Sequence, residues 1–293
     1  MKHVLAVMAA LILTAGVALA DSFASAVVSY ELGTTSKPRY YFSSDWSLPP
    51  VIVPLNNPAA TLGKPATFVN EPYDPASSGI VSPFVPPANE DQIFSLGAGG
   101  QITLRLDHYA LVDGTSAPEI GLFTNTMAID AYDGQETIAA IAPGRNVIVK
   151  VSQDGLAWVS LGTVSVGMIN NPFLDAPSAH AKSAAGLTEA SFSKPFTGAP
   201  SDLVGKTYVE ATTLLNGSAG GTWLDLSSTG LVEVGYIQLI VPAGTATHIE
   251  LDAVSVNGAM IGQVVLTPEP ATLLALLALG APLLRRRRSS RQG

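Results

Sequence analysis

The chain predicts an all-β fold, a β-sandwich with one short helix. Three observations carry this. Glycine and proline number 27 and 21 among 293 residues. With abundant Ser, Thr and Val, they break the chain into short apolar runs instead of long helical repeats. Residues 101–107 and 247–256 alternate apolar and polar side chains with period two, the pattern of a half-buried strand. There is no cysteine, so neither disulfides nor thiolate metal sites hold the molecule. A core must do so, and residues 21–267 are long enough for one large β domain or two small ones.

The elements follow in order. Residues 26–30 form a first strand. Residues 37–88 contain prolines throughout, which forbid long strands or helices. They read as an irregular wrapping segment with short edge strands, packed down through Phe68, Tyr73, Ile80 and Phe84. The segment occupies the first part, residues 21–90, of a body that continues as the core sandwich over 91–258. Residues 93–96 form a strand, Gly97-Ala98-Gly99-Gly100 a hairpin turn, and 101–107 the next strand. In it Ile102, Leu104 and Leu106 face the core, with Thr103, Arg105 and Asp107 facing water. Residues 120–124 are a strand. Residues 146–152 and 157–161 form a hairpin about Asp154-Gly155, a pair suited to a two-residue primed turn.

Residues 172–200 revert to loop. Residues 201–215 form the helix, N-capped by Ser201, with Asp202 at the positive end of its dipole and Asn216-Gly217 ending it. Its buried stripe is Leu203, Val204, Tyr208, Val209 and Leu215. Residues 236–241 and 247–256 close the fold. In the last strand Ile249, Leu251 and Ala253 share one face, with His248, Glu250 and Asp252 on the other.

The two ends are not part of that body. Lys2 and His3 precede an apolar stretch over 4–19, and Ala18-Leu19-Ala20 is a small-x-small cleavage site. This is a secretory signal peptide, an N-terminal helix cut between Ala20 and Asp21. At the other end stand Pro268-Glu269-Pro270, an uncharged apolar run over 271–284, and Arg285 to Arg288. A helix of that length reaches about 21 Å, short of the ~30 Å hydrocarbon core. Four adjacent arginines cannot enter a protein core unpaired. A short C-terminal hydrophobic helix stopped by cytoplasmic arginines fits marginal, temporary membrane insertion. The two prolines keep Glu269 extended and reachable at the membrane edge.

This tail resembles the PEP-CTERM sorting signal of Gram-negative bacteria. The resemblance covers residues 266–293. It implies recognition by a membrane-embedded exosortase, cleavage near Pro268-Glu269-Pro270, passage through the inner membrane, and release to the cell envelope or extracellular matrix. The body is also similar, at residues 95–104, 151–158, 220–221 and 251–256, to secreted bacterial cell-surface proteins that carry such tails. Val-Ser-x-Asp-Gly-x-x-Trp and the closing Leu-Asp-Ala-Val-Ser-Val resemble pieces of discoidin-type and carbohydrate-binding jelly rolls. That implies a jelly-roll topology, and a structural calcium to which Asp252 contributes.

Charge narrows the partners. Lys2, five terminal arginines and Glu269 lie in the end segments, leaving nine basic and 22 acidic side chains in the body, a net −13. Such a surface repels nucleic acid. It suits neutral glycans, or anionic polymers bridged by cations. His108, His180 and His248 lie in no zinc-binding pattern. His248, Glu250 and Asp252 read as a solvated strand face, the alternative being a metal or catalytic face. Asp130, Asp133 and Glu136 surround a glycine in an acidic loop, and offer calcium oxygen ligands without EF-hand spacing. Ser218 lacks the glycine two residues before it that a hydrolase elbow needs. No catalytic or cofactor-binding residue is identified. Trp46, Trp158 and Trp223 suit either sugar stacking or the core. The expectation is a non-enzymatic exported protein, structural, adhesive or glycan-contacting, with extracellular polysaccharide as its candidate partner. The alternative is a secreted polysaccharide hydrolase, whose mark would be two facing carboxylates in a deep pocket.

Overall fold

The computed structural model describes residues 22–41, 49–70, 78–257 and 260–264. The signal peptide with its Ala20–Asp21 junction, Trp46, Tyr73, and the tail with Pro268, Glu269 and Pro270 lie outside the described residues. Among the described residues no helix is long and apolar enough to cross a membrane.

Among the described residues the chain is all-β with one α-helix. Its strands are β1 (Ala24–Glu31), β2 (Arg39–Tyr41), β3 (Val51–Val53), β4 (Phe68–Val69), β5 (Gly79–Ile80), β6 (Phe94–Gly97), β7 (Gln101–Leu111) and β8 (Ile120–Thr124). There follow β9 (Ala128–Asp130), β10 (Ile138–Ile141), β11 (Arg145–Ser152) and β12 (Val159–Val166). After helix α1 (Tyr208–Leu215) come β13 (Thr222–Leu224), β14 (Glu233–Ile240), β15 (His248–Val256) and β16 (Met260–Gln263).

Two antiparallel sheets dominate. One runs β1-β7-β14-β11-β12, with β16 also on β7; the other runs β13-β8-β15-β6. Leaving aside β9 and β10, which pair in a small sheet of their own, the chain from β6 to β15 passes between the two main sheets at every step except the β11–β12 hairpin. Inner-face side chains of both sheets form one core. Ile102, Leu104 and Leu106 of β7 and the valines 147, 149 and 151 of β11 meet Phe94, Leu122 and Leu251 from the opposite sheet. Each fully buried side chain of this size contributes about 1.5–3 kcal/mol. A second cluster packs Leu203, Tyr208, Ala211 and Leu215 on Ile80, Ile138 and Ile169. It buries the helix and the proline-rich loops together, outside the main core.

Several expectations change. The glycine turn 97–100 is tight, with Gly100 N–H on Gly97 O at 2.8 Å, but it is not a hairpin. β6 and β7 lie in different sheets, and turn residues do not encode which partner each strand takes. The Asp154-Gly155 hairpin is present between β11 and β12. Its loop spans six residues, 153–158, instead of two. Asp154 Oδ1 accepts the N–H groups of Leu156 and Ala157, which widens the turn. Thr103 is buried on the outer face, where its hydroxyl accepts from Gln238 Nε2 at 3.1 Å.

The helix is shorter than expected. A 3₁₀ turn covers Pro200–Leu203, and Gly205 at φ +79° breaks the path. Thr207, not Ser201, caps α1: its Oγ1 accepts the Glu210 N–H, while Glu210 returns a carboxylate to the Thr207 N–H. Asn216 ends it in the left-handed conformation, as its sequence suggests. The break turns Val204 and Val209 outward, 43% and 67% exposed, and Ala211 takes the inward position.

Candidate functional site

A groove of about 750 Å³ opens beside the second sheet. Three stretches form much of its wall, joined by Ser116 and Pro118 and by Ser165, Gly167 and Met168. One is the end of β10 with the following Ala142-Pro143-Gly144. Another is the 3₁₀ turn with Phe196 and Gly198 before it. The last is Thr222 and Trp223 of β13.

Trp223 is held in place by its surroundings. It pairs across the strands with Gly121 of β8, and a Cβ on Gly121 would stand 2.9 Å from the indole. Only glycine lets the ring lie down on the strand. The indole Nε1–H donates to Gly220 O at 2.8 Å. Phe123 meets the ring edge-to-face at 6.3 Å. The indole is thus fixed while still partly exposed, an aromatic surface that loses little freedom on contact. Next to it, Thr222 Oγ1 accepts the N–H groups of Gly167 and Met168 at 3.2 and 3.3 Å. That hydroxyl keeps its own proton to donate. Ser116, Ser165, Thr197 and Ser201 add further hydroxyls.

Among the described residues no ionisable side chain lines the groove. Asp202, next to Ser201 in sequence, turns back to accept the Ala199 N–H at 2.8 Å. The chemistry on offer is therefore stacking plus neutral hydrogen bonding.

The Ala142-Pro143 ridge also borders a smaller cleft of about 190 Å³, lined by Thr124, Thr126, Arg145, His248 and Glu250. His248 Nε2 lies 3.7 Å from Glu250 Oε1. Two of the three residues read as a solvated face therefore share a cleft, and the third does not join them. Asp252 is only 2% exposed. It is the extra residue of a β-bulge, since Leu251 pairs with Thr124 and Ala253 with the adjacent Phe123. The bulge reverses the expected alternation. Leu251 and Val254 enter the main core, while Ala253 packs outside with Phe123 and Phe192. Burial pushes the Asp252 carboxyl up to about 8, against the opposing pull of the Ala66 N–H.

The carboxylates considered for calcium are not brought together. Asp130 Oδ1 accepts the Tyr132 N–H, and Asp133 Oδ1 the Gln135 N–H, both at 2.8 Å. The Thr137 hydroxyl and the Gln135 N–H hold Asp133 below the usual carboxylate range. Glu136 binds the Ser178 hydroxyl and the Ala179 N–H. Among the described residues no group of three or more His, Asp or Glu side chains is placed to hold a metal ion. His108 Nδ1 lies 2.7 Å from Asp107 Oδ2, and His180 stacks on Phe84. Ser218 is buried in the turn after α1, its Oγ accepting the Gly220 N–H.

Of the three tryptophans, Trp158 packs against the main core and Trp223 forms the groove. Phe196 and Thr222 carried no sequence signal, because loops distant in sequence assemble the walls. Glu119 was also illegible. It is buried with Oε2 on the Leu226 N–H at 2.8 Å, and burial pushes its carboxyl up. No protein-family model, curated protein or solved structure matches the chain.

Proposed function

We propose that the protein is an exported, non-enzymatic component of the cell envelope or extracellular matrix that contacts neutral glycan through the Trp223 groove. The observation that carries this reading is the groove itself: a fixed indole, Phe196 and several hydroxyls, with no ionisable side chain among the described residues. Sugars present apolar ring faces and hydroxyl edges, which that combination matches. A hydrolase would need two facing carboxylates. Among the described residues the groove has none, and the cleft beyond the ridge has only Glu250. The strand orders support a jelly-roll topology for the body, because the eight strands β6–β8 and β11–β15 cross between two four-stranded layers in the manner of two interlocked Greek keys.

Export rests on the two ends of the chain. The signal peptide before Asp21 directs secretion, and the PEP-CTERM-like tail directs a transient stop in the inner membrane and cleavage by an exosortase near Pro268-Glu269-Pro270. Two experiments test the reading. Intact-mass measurement of the protein from its native envelope is expected to show loss of both ends; retention of Arg285 to Arg288 would replace sorting by a simple tail anchor. Pull-down on insoluble neutral polysaccharides is expected to retain the wild type and release Trp223→Ala. Equal retention of both, or of neither, would remove the groove from the function.

A further inference from the structure

Sheet edges expose unpaired backbone groups, and proteins cover or blunt them. Three of the four edges of the two main sheets are managed in that way. β6 is covered by the wrapping segment, with Ser95 N–H on Leu55 O and the Lys37 N–H on Ser95 Oγ, both at 2.8 Å. β13 is only three residues long and takes the Gly167 and Met168 N–H groups on Thr222. β1 carries two register breaks and the charge of Glu31.

β12 has little such protection. It is eight residues long, Val-Ser-Leu-Gly-Thr-Val-Ser-Val, without a charge or a proline. One register break against β11, between Val149 and Lys150, interrupts it. Ser160, Gly162, Thr163 and Ser165 are exposed. Leu161 and Val164 reach the main core but remain only partly buried, so this edge leaves apolar surface uncovered.

The strand also reads nearly the same in both directions. Turned about a two-fold axis between Gly162 and Thr163, it sets Val159 opposite Val166 of a second copy. Ser160 then faces Ser165 of that copy, and Leu161 faces Val164. Like side chains meet like at these positions, with apolar pairs on the inner face and hydroxyl pairs on the outer. The body carries a net −13, so most faces of two copies repel each other. An uncharged strand is where that repulsion is least.

We infer that β12 pairs antiparallel with β12 of a second copy of this chain, joining two six-stranded sheets across a two-fold axis. Such isologous contacts close after two copies.

The absence of cysteine makes a register test available on the full chain. Directly opposed residues of an antiparallel pair have Cβ atoms close enough for a disulfide. Full-length Ser160→Cys and Ser165→Cys chains, purified in detergent and oxidised as a mixture, are expected to cross-link roughly tenfold faster than either chain alone. Equal rates in all three samples would overturn the pairing. A second arm guards against disturbance of the strand by cysteine, since Ser160 Oγ also accepts the Gly162 N–H. Sedimentation in density-matched detergent is expected to show the dimer weakened by roughly tenfold in Ser160→Lys/Ser165→Lys, where like charges face each other. It should be retained in Ser160→Lys/Ser165→Glu, where opposite charges do. The same behaviour in both double variants, or a wild type that stays monomeric at about 100 μM, above the micromolar range of weak specific pairs, would sink the proposal.

Discussion

The backbone N–H of Ala66 points at both carboxylate oxygens of Asp252, 3.1 and 3.2 Å away and 186 residues on in sequence. This contact fastens the wrapping segment to the last strand of the second sheet. It also buries an acid with no cation beside it among the described residues, so the proton becomes part of the structure.

That arrangement sets a pH dependence. Unfolded Asp252 ionises near its ordinary 3.8, while the folded carboxyl holds its proton to about 8. The folded state therefore binds the extra proton between those values, and its stability falls as pH rises through that window. At about 1.4 kcal/mol per tenfold change in proton affinity, the upper bound is on the order of 6 kcal/mol. Asp252→Asn keeps an acceptor for Ala66 and never ionises. It is expected to flatten urea-derived stability between pH 4 and pH 8 and to exceed wild type at the alkaline end. A variant that loses stability equally at every pH would show that the carboxyl is not the titrating group.

Gly121 should be unable to accept a side chain. A Cβ there would meet the Trp223 ring at 2.9 Å, and overpacking of that kind costs about 1–3 kcal/mol. Gly121→Val is expected to lower the melting midpoint and to lose polysaccharide retention together. Retention at wild-type strength would mean that the indole need not be fixed to bind.

Removal of the α1 cap tests the shortened helix. Thr207→Ala leaves the Glu210 N–H without its hydroxyl and is expected to cost about 1 kcal/mol. Ser201→Ala, at the position the sequence alone suggests, is expected to change stability by less than half of that. A larger effect at Ser201 would place the helix start there after all.

Gly155 sits at φ +78° with the Tyr236 ring 3.3 Å from any added Cβ. Gly155→Val is expected to cost on the order of 1–2 kcal/mol from backbone strain alone. An unchanged denaturation midpoint would show that the six-residue loop re-forms around the substitution.

Calcium in the millimolar range is expected to leave the melting midpoint where a chelator leaves it. Asp130, Asp133 and Glu136 already serve the N–H groups of Tyr132, Gln135 and Ala179. A rise of several degrees in calcium, abolished by Asp133→Ala, would show that the loop gives up those bonds for the ion.

Much of the fold was legible because its cause is local. Period-two alternation in β7, the unbroken apolar run of β8, and the Asn216 stop of α1 each depend on residues within a few positions of one another. The groove was legible only as three tryptophans without addresses. Its walls come from five stretches, β10 with 142–144, 196–204, 221–223, Ser116 with Pro118, and Ser165 with Gly167 and Met168, and no pattern within any one of them announces the others.

The sequence by itself determined the class of the fold, the strands with strong alternation, the acidic body without cysteine, and the composition of both ends. Tertiary structure alone decided which strands are neighbours, that Asp252 is an interior acid instead of a surface one, and that Trp223 faces a groove while Trp158 joins the core. The reason is physical. Local propensity and alternation act through covalent neighbours, whereas pairing partners and burial depend on what a long chain of loops lays over each face. A single bulged residue at Asp252 is enough to exchange inside for outside.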